Sequence, residues 1–341
     1  MRASIVASAI SVSILATAGP ALAQLSPGTS QQGPSTQQKQ TAVDSTTQAG
    51  ANTTSYVTLP AINSVIQQTL LGAKALGQRA DLTNLHRGQS AGDDPISWQA
   101  WLSGSGGNSS SYLPNAGYSL GNYGTQVGLQ AQLSPKSMLG LSGSWQGSNG
   151  TLTGGFNSNN STFGATLYGG YQLSEEWNVS GSAGWSSGSS SMTGGSTPYS
   201  ANFANSQWSF QGGLNGYFKA GSIVLAPMVS LLYSTINNYG YVDSAAIAVP
   251  GRMTQLTRGS AGGFISIPLD GWQPYFRATI DHDFAMTSGS EASGPTGGTV
   301  GAGATVPFND TVWASVDGGY NSIGRAGLSS WSASARINVR F

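Results

Sequence analysis

The chain has 341 residues, of which 49 are glycine and only 8% are charged; it has no cysteine, and its formal net charge is zero. A phosphate backbone requires clustered Lys and Arg, so this composition argues against nucleic acid as a partner. The lack of cysteine excludes a disulfide scaffold, a thiolate metal site and a cysteine nucleophile. The two histidines, His86 and His282, lack metal-ligand spacing, so no metal or other cofactor is expected.

The N-terminus predicts a secretory signal peptide over residues 1–23. Arg2 precedes an apolar run over residues 5–18, and residues 21–23 (ALA) place small side chains at the cleavage positions. The mature chain is expected to start at Gln24. No other segment approaches the roughly 20 consecutive apolar residues of a membrane-spanning helix, so a crossing of the membrane would use strands.

Residues 24–92 divide into a polar segment and a helix with a linker. Residues 24–55 are rich in Gln, Ser, Thr and Gly and contain no aromatic residue, which predicts a disordered segment, either a linker or a vestigial passenger. Within residues 56–92, apolar residues recur at helical spacing over residues 59–86, and Pro60 stands where a first helical turn accepts it. Such a helix would be about 40 Å long, enough to thread a bilayer-thick barrel. We expect it in the pore; packing outside the barrel is the alternative.

Residues 93–341 are predicted to form an antiparallel barrel, because apolar and polar residues alternate there with a period of two. Leu129 and Leu133 share one face of a strand while Gln130 and Gln132 share the other. About twelve such strands follow, and the last ends on Phe341. Apolar rows facing lipid and rows of Gln, Asn and Ser facing water are typical of an outer-membrane barrel.

The connections between these strands are expected to alternate in length. Five short turns are predicted near residues 134–136, 174–176, 220–221, 269–271 and 309–310. Longer loops, rich in Ser, Gly and Asn, are predicted around Gly106, Asn149, Ser190, Ala245, Ser290 and Arg325. Short periplasmic turns, longer outer loops and an even number of strands are typical of these barrels. Both barrel ends would then lie on the periplasmic side, where the terminal strand must pair with the strand near Trp98.

Five segments match a known family: residues 82–87 (LTNLHR), 96–101 (ISWQAW), 123–128 (YGTQVG), 274–284 (PYFRATIDHDF) and 336–341 (RINVRF). With these segments, residues 60–341 resemble the autotransporter translocator family, the C-terminal barrels of type V secretion proteins. The resemblance implies a twelve-stranded barrel in the Gram-negative outer membrane, a helix through its pore and an N-terminal passenger exported to the cell surface. It also implies insertion by the outer-membrane barrel assembly machinery. Residues 24–55 leave room for only a short passenger.

Strand parity places a few charged side chains on the lumenal face. They are predicted to pair with one another, to set the electrostatics of the pore or to hold the polar face of the helix. Phe341 is expected at the periplasmic rim, where the barrel closes. The predicted structural and pore residues are Arg258, Arg277, Asp281, Asp317, Arg336, Arg340 and Phe341.

Two motifs suggest catalysis, and both are weak. In Asp281-His282-Asp283 a carboxylate next to a histidine could activate water, but parity points His282 outward and both aspartates inward. Residues 184–188 (GWSSG) fit a G-x-S-x-G pattern, yet they follow a strand without the helix that a nucleophile elbow needs. No catalytic residue is predicted, and the chain is not expected to be an enzyme.

The leading functional hypothesis is therefore a monomeric translocator barrel, in contact with outer-membrane lipid, that exports or displays its N-terminal segment at the cell surface. The alternatives are a stand-alone surface adhesin or structural barrel, and a small porin.

Overall fold

The computed structural model describes residues 97–113, 117–194, 199–286 and 294–341, together with Lys39, Ala42, Val43, Ile62 and residues 64–66. The predicted signal peptide, most of the predicted polar segment and most of the predicted pore helix lie outside the described residues. In the part of the chain that is described, no helix is long and apolar enough to cross a membrane.

The described residues form fifteen strands. They are β1 (Ser97–Ser111), β2 (Tyr118–Ser134), β3 (Ser137–Leu152), β4 (Phe156–Gln172), β5 (Trp177–Gly194), β6 (Ser200–Gly216), β7 (Phe218–Ala220), β8 (Ile223–Asn238), β9 (Tyr241–Val242), β10 (Ala248–Val249), β11 (Arg252–Ser266), β12 (Gln273–Met286), β13 (Thr296–Pro307), β14 (Val312–Ile323) and β15 (Leu328–Arg340).

Twelve of these strands close into one antiparallel barrel. The sheet runs β11-β12-β13-β14-β15-β1-β2-β3-β4-β5-β6-β8, and β8 pairs with β11 to complete the circle. The short β7 prolongs the β6 edge beside β8, whereas β9 and β10 form a separate hairpin. Closure leaves no sheet edge with unpaired backbone groups, which is the condition for strands to cross lipid. The predicted twelve-stranded antiparallel barrel is confirmed.

The seam between the first and last strands closes the barrel at the chain terminus. The N–H of Trp98 donates to the carbonyl of Phe341 at 3.1 Å, and the N–H of Phe341 donates to the carbonyl of Trp98 at 2.9 Å. From there β1 and β15 stay paired as far as Ser111 and Leu328. The predicted pairing of the terminal strand with the strand near Trp98 is confirmed.

The two faces of the barrel differ in polarity, as the alternation predicts. Inward rows bury uncharged polar side chains, including Gln99, Gln126, Gln130, Ser142, Thr166, Asn178, Ser209, Asn215, Ser234, Thr305 and Asn338. Outward rows expose large apolar side chains, including Leu102, Val127, Leu141, Phe163, Leu167, Trp185, Phe210, Leu231, Phe276, Ile280, Val316 and Ile337. An outward apolar band around a polar interior is the arrangement that lipid on one side and water on the other require.

The strands are longer than a membrane crossing needs. The twelve barrel strands have between 12 and 18 residues, whereas about 9–11 tilted residues span a bilayer. The predicted loops around Gly106, Asn149 and Ser190 are therefore wrong, because these residues lie inside β1, β3 and β5. The Ser, Gly and Asn that interrupt the apolar alternation there do not interrupt the backbone ladder, since each strand has a partner on both sides.

The two ends of the barrel carry different connections. We call the end with the connections at 135–136, 173–176, 221–222, 267–272 and 308–311 the turn end; Trp98 and Phe341 lie there. The opposite loop end carries connections at 112–117, 153–155, 195–199, 239–251, 287–295 and 324–327. The longest of these, 239–251, contains the β9–β10 hairpin. Its Tyr241 stacks on Phe203 of β6, with ring centroids 5.1 Å apart.

The described residues from the N-terminal part of the chain pack inside the barrel. Lys39, Ala42 and Val43 have helical backbone and are buried, although the composition of residues 24–55 predicts disorder. Ile62 and residues 64–66 are also helical and fall within the predicted helix of residues 59–86. The course of that helix between these points is outside the described residues, so its passage through the pore stays a prediction.

The barrel lumen as a candidate functional site

Charged side chains occupy only one half of the barrel wall. Strands β1–β6 and β8 contain no charged residue, whereas β11–β15 carry the six charged residues that are predicted as pore residues. Their side chains do lie on the inward rows, and Phe341 is exposed at the turn end. The structure thus places these residues where the sequence puts them; their role in the pore stays a prediction. The six are Arg258, Arg277, Asp281, Asp317, Arg336 and Arg340.

The first ionic group centres on Asp317 of β14. Arg277 of β12 donates two hydrogen bonds to the Asp317 carboxylate, from Nη2 to Oδ1 at 2.8 Å and from Nε to Oδ2 at 3.2 Å. The Tyr275 hydroxyl also donates to Oδ2, at 2.8 Å. Because a bidentate guanidinium fixes both the position and the angle of a carboxylate, this group ties β12 to β14 across β13.

The second ionic group centres on Asp283 of β12, near the loop end. Arg258 of β11 donates through Nε to Oδ1 at 2.5 Å and through Nη2 to Oδ2 at 3.1 Å. Arg325, from the connection between β14 and β15, donates Nη1 to Oδ2 at 2.7 Å. All three side chains are at most 5% exposed. Strand parity predicts an inward position for Asp283 but indicates nothing about Arg325, because a residue in a connection has no strand periodicity.

Asp281, two residues before Asp283, belongs to neither ionic group. Its carboxylate is buried and accepts longer hydrogen bonds from the Thr299 hydroxyl at 3.4 Å and the Thr279 hydroxyl at 3.5 Å. Arg258, Arg277 and Asp317 thus take part in ion pairs of the lumenal wall, whereas the hydrogen bonds described for the Asp281 carboxylate come from hydroxyl groups.

Arg336 of β15 connects the wall to the N-terminal part of the chain. Its Nη2 donates to the Ser64 hydroxyl at 2.9 Å and to the Ser315 hydroxyl of β14 at 3.4 Å. Arg340, four residues further on, lies with its guanidinium carbon 5.5 Å from the centroid of the Trp313 ring. Arg336 thus contacts one residue of the predicted helix over residues 59–86; that lumenal charges hold the polar face of this helix stays a prediction.

An aromatic pair on the uncharged half of the wall contacts the same N-terminal residues. The indole N–H of Trp101 donates to the Tyr168 hydroxyl at 2.8 Å, and that hydroxyl donates to Gln130 at 3.0 Å. Around the pair, a buried apolar cluster contains Ile62, Val65, Ile66, Met138 and Leu232. The indole N–H and the tyrosine hydroxyl thus have hydrogen-bond partners although they are buried, and the faces of the two rings pack on the apolar side chains.

A second apolar cluster closes around the N-terminal residues at the loop end. It contains Ala42 and Val43 with Tyr118, Leu120, Leu152, Phe156, Met192, Tyr199, Ala201, Phe203 and Leu328. Next to it, Lys39 forms a buried ion pair with Asp243 of the β9–β10 connection. Burial raises the pKa of the Asp243 carboxyl, but hydrogen bonds from Lys39 and from the backbone N–H groups of Ile247 and Ala245 outweigh this and hold that pKa below its usual value.

The two catalytic motifs do not assemble a site. His282 is exposed on the outward face and its Nδ1 contacts the Thr296 hydroxyl at 2.8 Å, while Asp281 and Asp283 point inward. Residues 184–188 lie inside β5 and not on a strand-to-helix turn. Among the described residues, no group of three His, Asp or Glu could hold a metal ion.

A family model described as the autotransporter beta-domain matches residues 100–333. The chain belongs to this family. The predicted resemblance is confirmed, and the chain is a translocator barrel of the outer membrane, whose outward apolar band contacts lipid.

Solved autotransporter structures share the fold at low sequence identity. The translocator domain of NalP from Neisseria meningitidis is 14% identical with a TM-score of 0.61, covering 81% of this chain and 98% of that one. The beta domain of the Bordetella autotransporter BrkA is 16% identical with a TM-score of 0.62, covering 72% and 100%. The transport unit of AIDA-I from Escherichia coli is 16% identical with a TM-score of 0.56, covering 82% and 98%. No curated protein matches the chain.

Proposed function

We propose that this autotransporter barrel carries its own N-terminal segment through the lumen and displays it at the surface of a Gram-negative cell. The position of the described N-terminal residues carries the proposal. Ile62, Val65 and Ile66 pack near Trp101 and Met138, which lie close to the turn-end termini of β1 and β3. Ala42 and Val43 pack among loop-end side chains. Ala42 and Val43 therefore lie nearer the loop end than Ile62, Val65 and Ile66 do.

The orientation of the barrel supports surface display. Short turns and both barrel termini of such proteins lie on the periplasmic side, so the loop end is the outer one. The residues that precede Lys39 then leave the lumen on the outside, after a predicted signal peptide has delivered the chain to the periplasm. Their polar composition suits a solvated passenger segment.

A small porin fits the lumen less well. The space near Trp101 is filled by Ile62, Val65 and Ile66, each with 0% of its surface exposed, and apolar side chains exclude the water that carries solutes. An adhesin that binds through its outer loops is a second candidate, but its longest described loop element, the β9–β10 hairpin, packs on Phe203 of the lumenal wall.

We also propose that the barrel is not an enzyme and acts as a monomer. The outward position of His282 leaves it apart from the inward carboxylates, and the closed sheet offers no edge strand to a second copy. Insertion by the outer-membrane barrel assembly machinery is the route that family membership supports.

Surface display is tested with two epitope tags in intact cells. One tag follows Gln32, before the buried Lys39, and the matched tag lies between Glu175 and Glu176 in a connection at the turn end. External protease is expected to remove the first tag and to spare the second until the outer membrane is permeabilised. Protection of the Gln32 tag in intact cells would overturn display and favour the porin or the adhesin.

A further inference from the structure

The β9–β10 hairpin packs against the lumenal side of β6, where the N-terminal residues are buried. Besides the stacking of Tyr241 on Phe203, the N–H of Ser244 donates to the carbonyl of Ser200 at 2.9 Å, and the N–H of Ser200 donates to the Ser244 hydroxyl at the same distance. The hairpin is thus held to the wall by its own contacts, independently of the N-terminal segment.

Within this hairpin, the two carboxylate oxygens of Asp243 have different partners. Oδ1 accepts the N–H groups of Ala245 and Ile247, both at 2.9 Å, and so closes the turn. Oδ2 is directed at the Lys39 ammonium, 2.5 Å away. Because the turn itself fixes the carboxylate, the anionic oxygen is presented to a cation in a set position.

Lys39 is enclosed at this point. Its side chain is 2% exposed and that of Asp243 is 0% exposed, and its Nζ lies 5.1 Å from the centroid of the Tyr199 ring. An ammonium that pairs with a carboxylate and an aromatic face, away from water, loses both partners at once when it leaves. Nearby Ala42 and Val43 fill the adjoining apolar cluster.

Both charges are rare in their surroundings. Lys39 is the only Lys or Arg between Arg2 and Lys74, and Asp243 is the only Asp or Glu between Glu176 and Asp270. The first half of the wall is uncharged, so it offers Lys39 no competing carboxylate. A pairing of two isolated charges over 204 positions of sequence separation therefore specifies one register of the N-terminal segment against the barrel.

We propose that the β9–β10 hairpin is a binding site for the Lys39 side chain and acts as a clasp that fixes the N-terminal segment at the loop end of the lumen. Asp243 supplies the anion and Tyr199 supplies the aromatic face for the lysine. Val43 packs in the adjoining apolar cluster. The clasp holds this register whether or not the residues before Lys39 reach the cell surface.

The test uses a single thiol in the full mature chain, refolded in detergent micelles. Because the chain has no cysteine, Val43→Cys introduces a unique and buried reporter whose side chain is smaller than the one it replaces. A polymer-linked maleimide reacts with it only when the segment leaves the cluster. Heat-modifiable migration on a gel confirms for each variant that the barrel is folded.

Asp243→Asn is the decisive variant, because it keeps the Oδ1 acceptor that closes the turn and removes only the charge toward Lys39. We expect the thiol to react about tenfold faster or more, since breaking a buried ion pair favours local opening. Lys39→Gln, which leaves the hairpin unchanged, should give the same acceleration. Asp270→Asn, at the turn end, is the matched control and should leave the rate unchanged.

The double variant distinguishes a clasp from a separate role of Asp243 in the hairpin. If the two residues act on each other, Lys39→Gln with Asp243→Asn reacts no faster than either single variant. Additive acceleration, or unchanged rates in both single variants, would overturn the proposal. These reaction rates do not depend on export. The clasp can therefore be disproved without disproving surface display, and the reverse also holds.

Discussion

The ring of Tyr168 on β4 lies across Gly140 of β3, its partner in the strand register, so that a Cβ atom on Gly140 would collide with the ring. The neighbouring Trp101 lies across its own register partner, Gly128, in the same way. Large rings covering cross-strand glycines fill the space that the missing side chains leave. The lumenal aromatic pair that receives Ile62 and Val65 is therefore positioned by two glycines.

Gly140→Ala should destabilise the folded barrel by about 1–3 kcal/mol, because the added methyl group forces the buried Tyr168 ring out of its position. Its hydrogen bonds with Trp101 and Gln130 would lengthen as well. The measurement is the urea-induced unfolding of the protein in detergent micelles, followed by tryptophan fluorescence. Gly143→Ala, on the same strand, is the control, since the nearest atom to its Cβ is a carbonyl oxygen 4.0 Å away. Equal stability of the two variants would contradict the steric role of Gly140.

Asp317→Asn tests the group around Arg277. The substitution removes the anion from a guanidinium that is only 19% exposed and lies on the same half of the wall as Arg336. We expect a loss of about 2 kcal/mol of unfolding free energy, less than for a fully buried pair because water still reaches the site. Asp310→Asn, in an exposed turn, should leave the urea midpoint unchanged. An unchanged midpoint for Asp317→Asn would show that the pair contributes nothing to stability.

The number of strands and their two faces follow from the sequence because lipid and water impose a period of two on every strand that crosses the bilayer. This requirement ends where the strand leaves the bilayer. The sequence around Gly106, Asn149 and Ser190 therefore predicts loops, although these residues belong to paired strands. Around Thr257 and Arg258, a register shift in the pairing of β11 with β12 accompanies an outward row with small and polar residues, so the alternation of apolar and polar residues is weak in this strand.

The contacts between distant residues could not be predicted from the alternation. Parity indicates which side chains face the lumen, but not which of them meet, because neighbours around a barrel depend on strand stagger. The pairing of Asp283 with Arg325 depends on the path of a connection, and the pairing of Lys39 with Asp243 depends on the fold of a hairpin. Neither connection has a periodic pattern from which a contact could be derived.

The outward face of β3 can be checked with a matched pair of charge insertions. Leu141→Arg places a guanidinium on a side chain position that is 58% exposed within the apolar band, at a cost of about 2–4 kcal/mol near the bilayer centre. Ser144→Arg points toward the lumen from the same strand. We expect Leu141→Arg alone to lower the yield of folded barrel in lipid vesicles, measured by heat-modifiable migration. The reverse order would contradict the assignment of the two faces.

The ionisation of Asp243 provides a direct measure of its contact with Lys39. Since the pKa of this carboxyl in the folded chain lies below the ordinary 3.8, its charge contributes stability that is fully present above that pH and is lost as the pH falls through the folded pKa. Carbon-13 NMR of side-chain-labelled aspartate should show Asp243 titrating below 3.8, with the signal assigned by its loss in Asp243→Asn. Lys39→Gln should raise that pKa, because burial then acts against fewer stabilising hydrogen bonds. A titration of Asp243 that Lys39→Gln does not move would mean that the ammonium does not reach the carboxylate in solution.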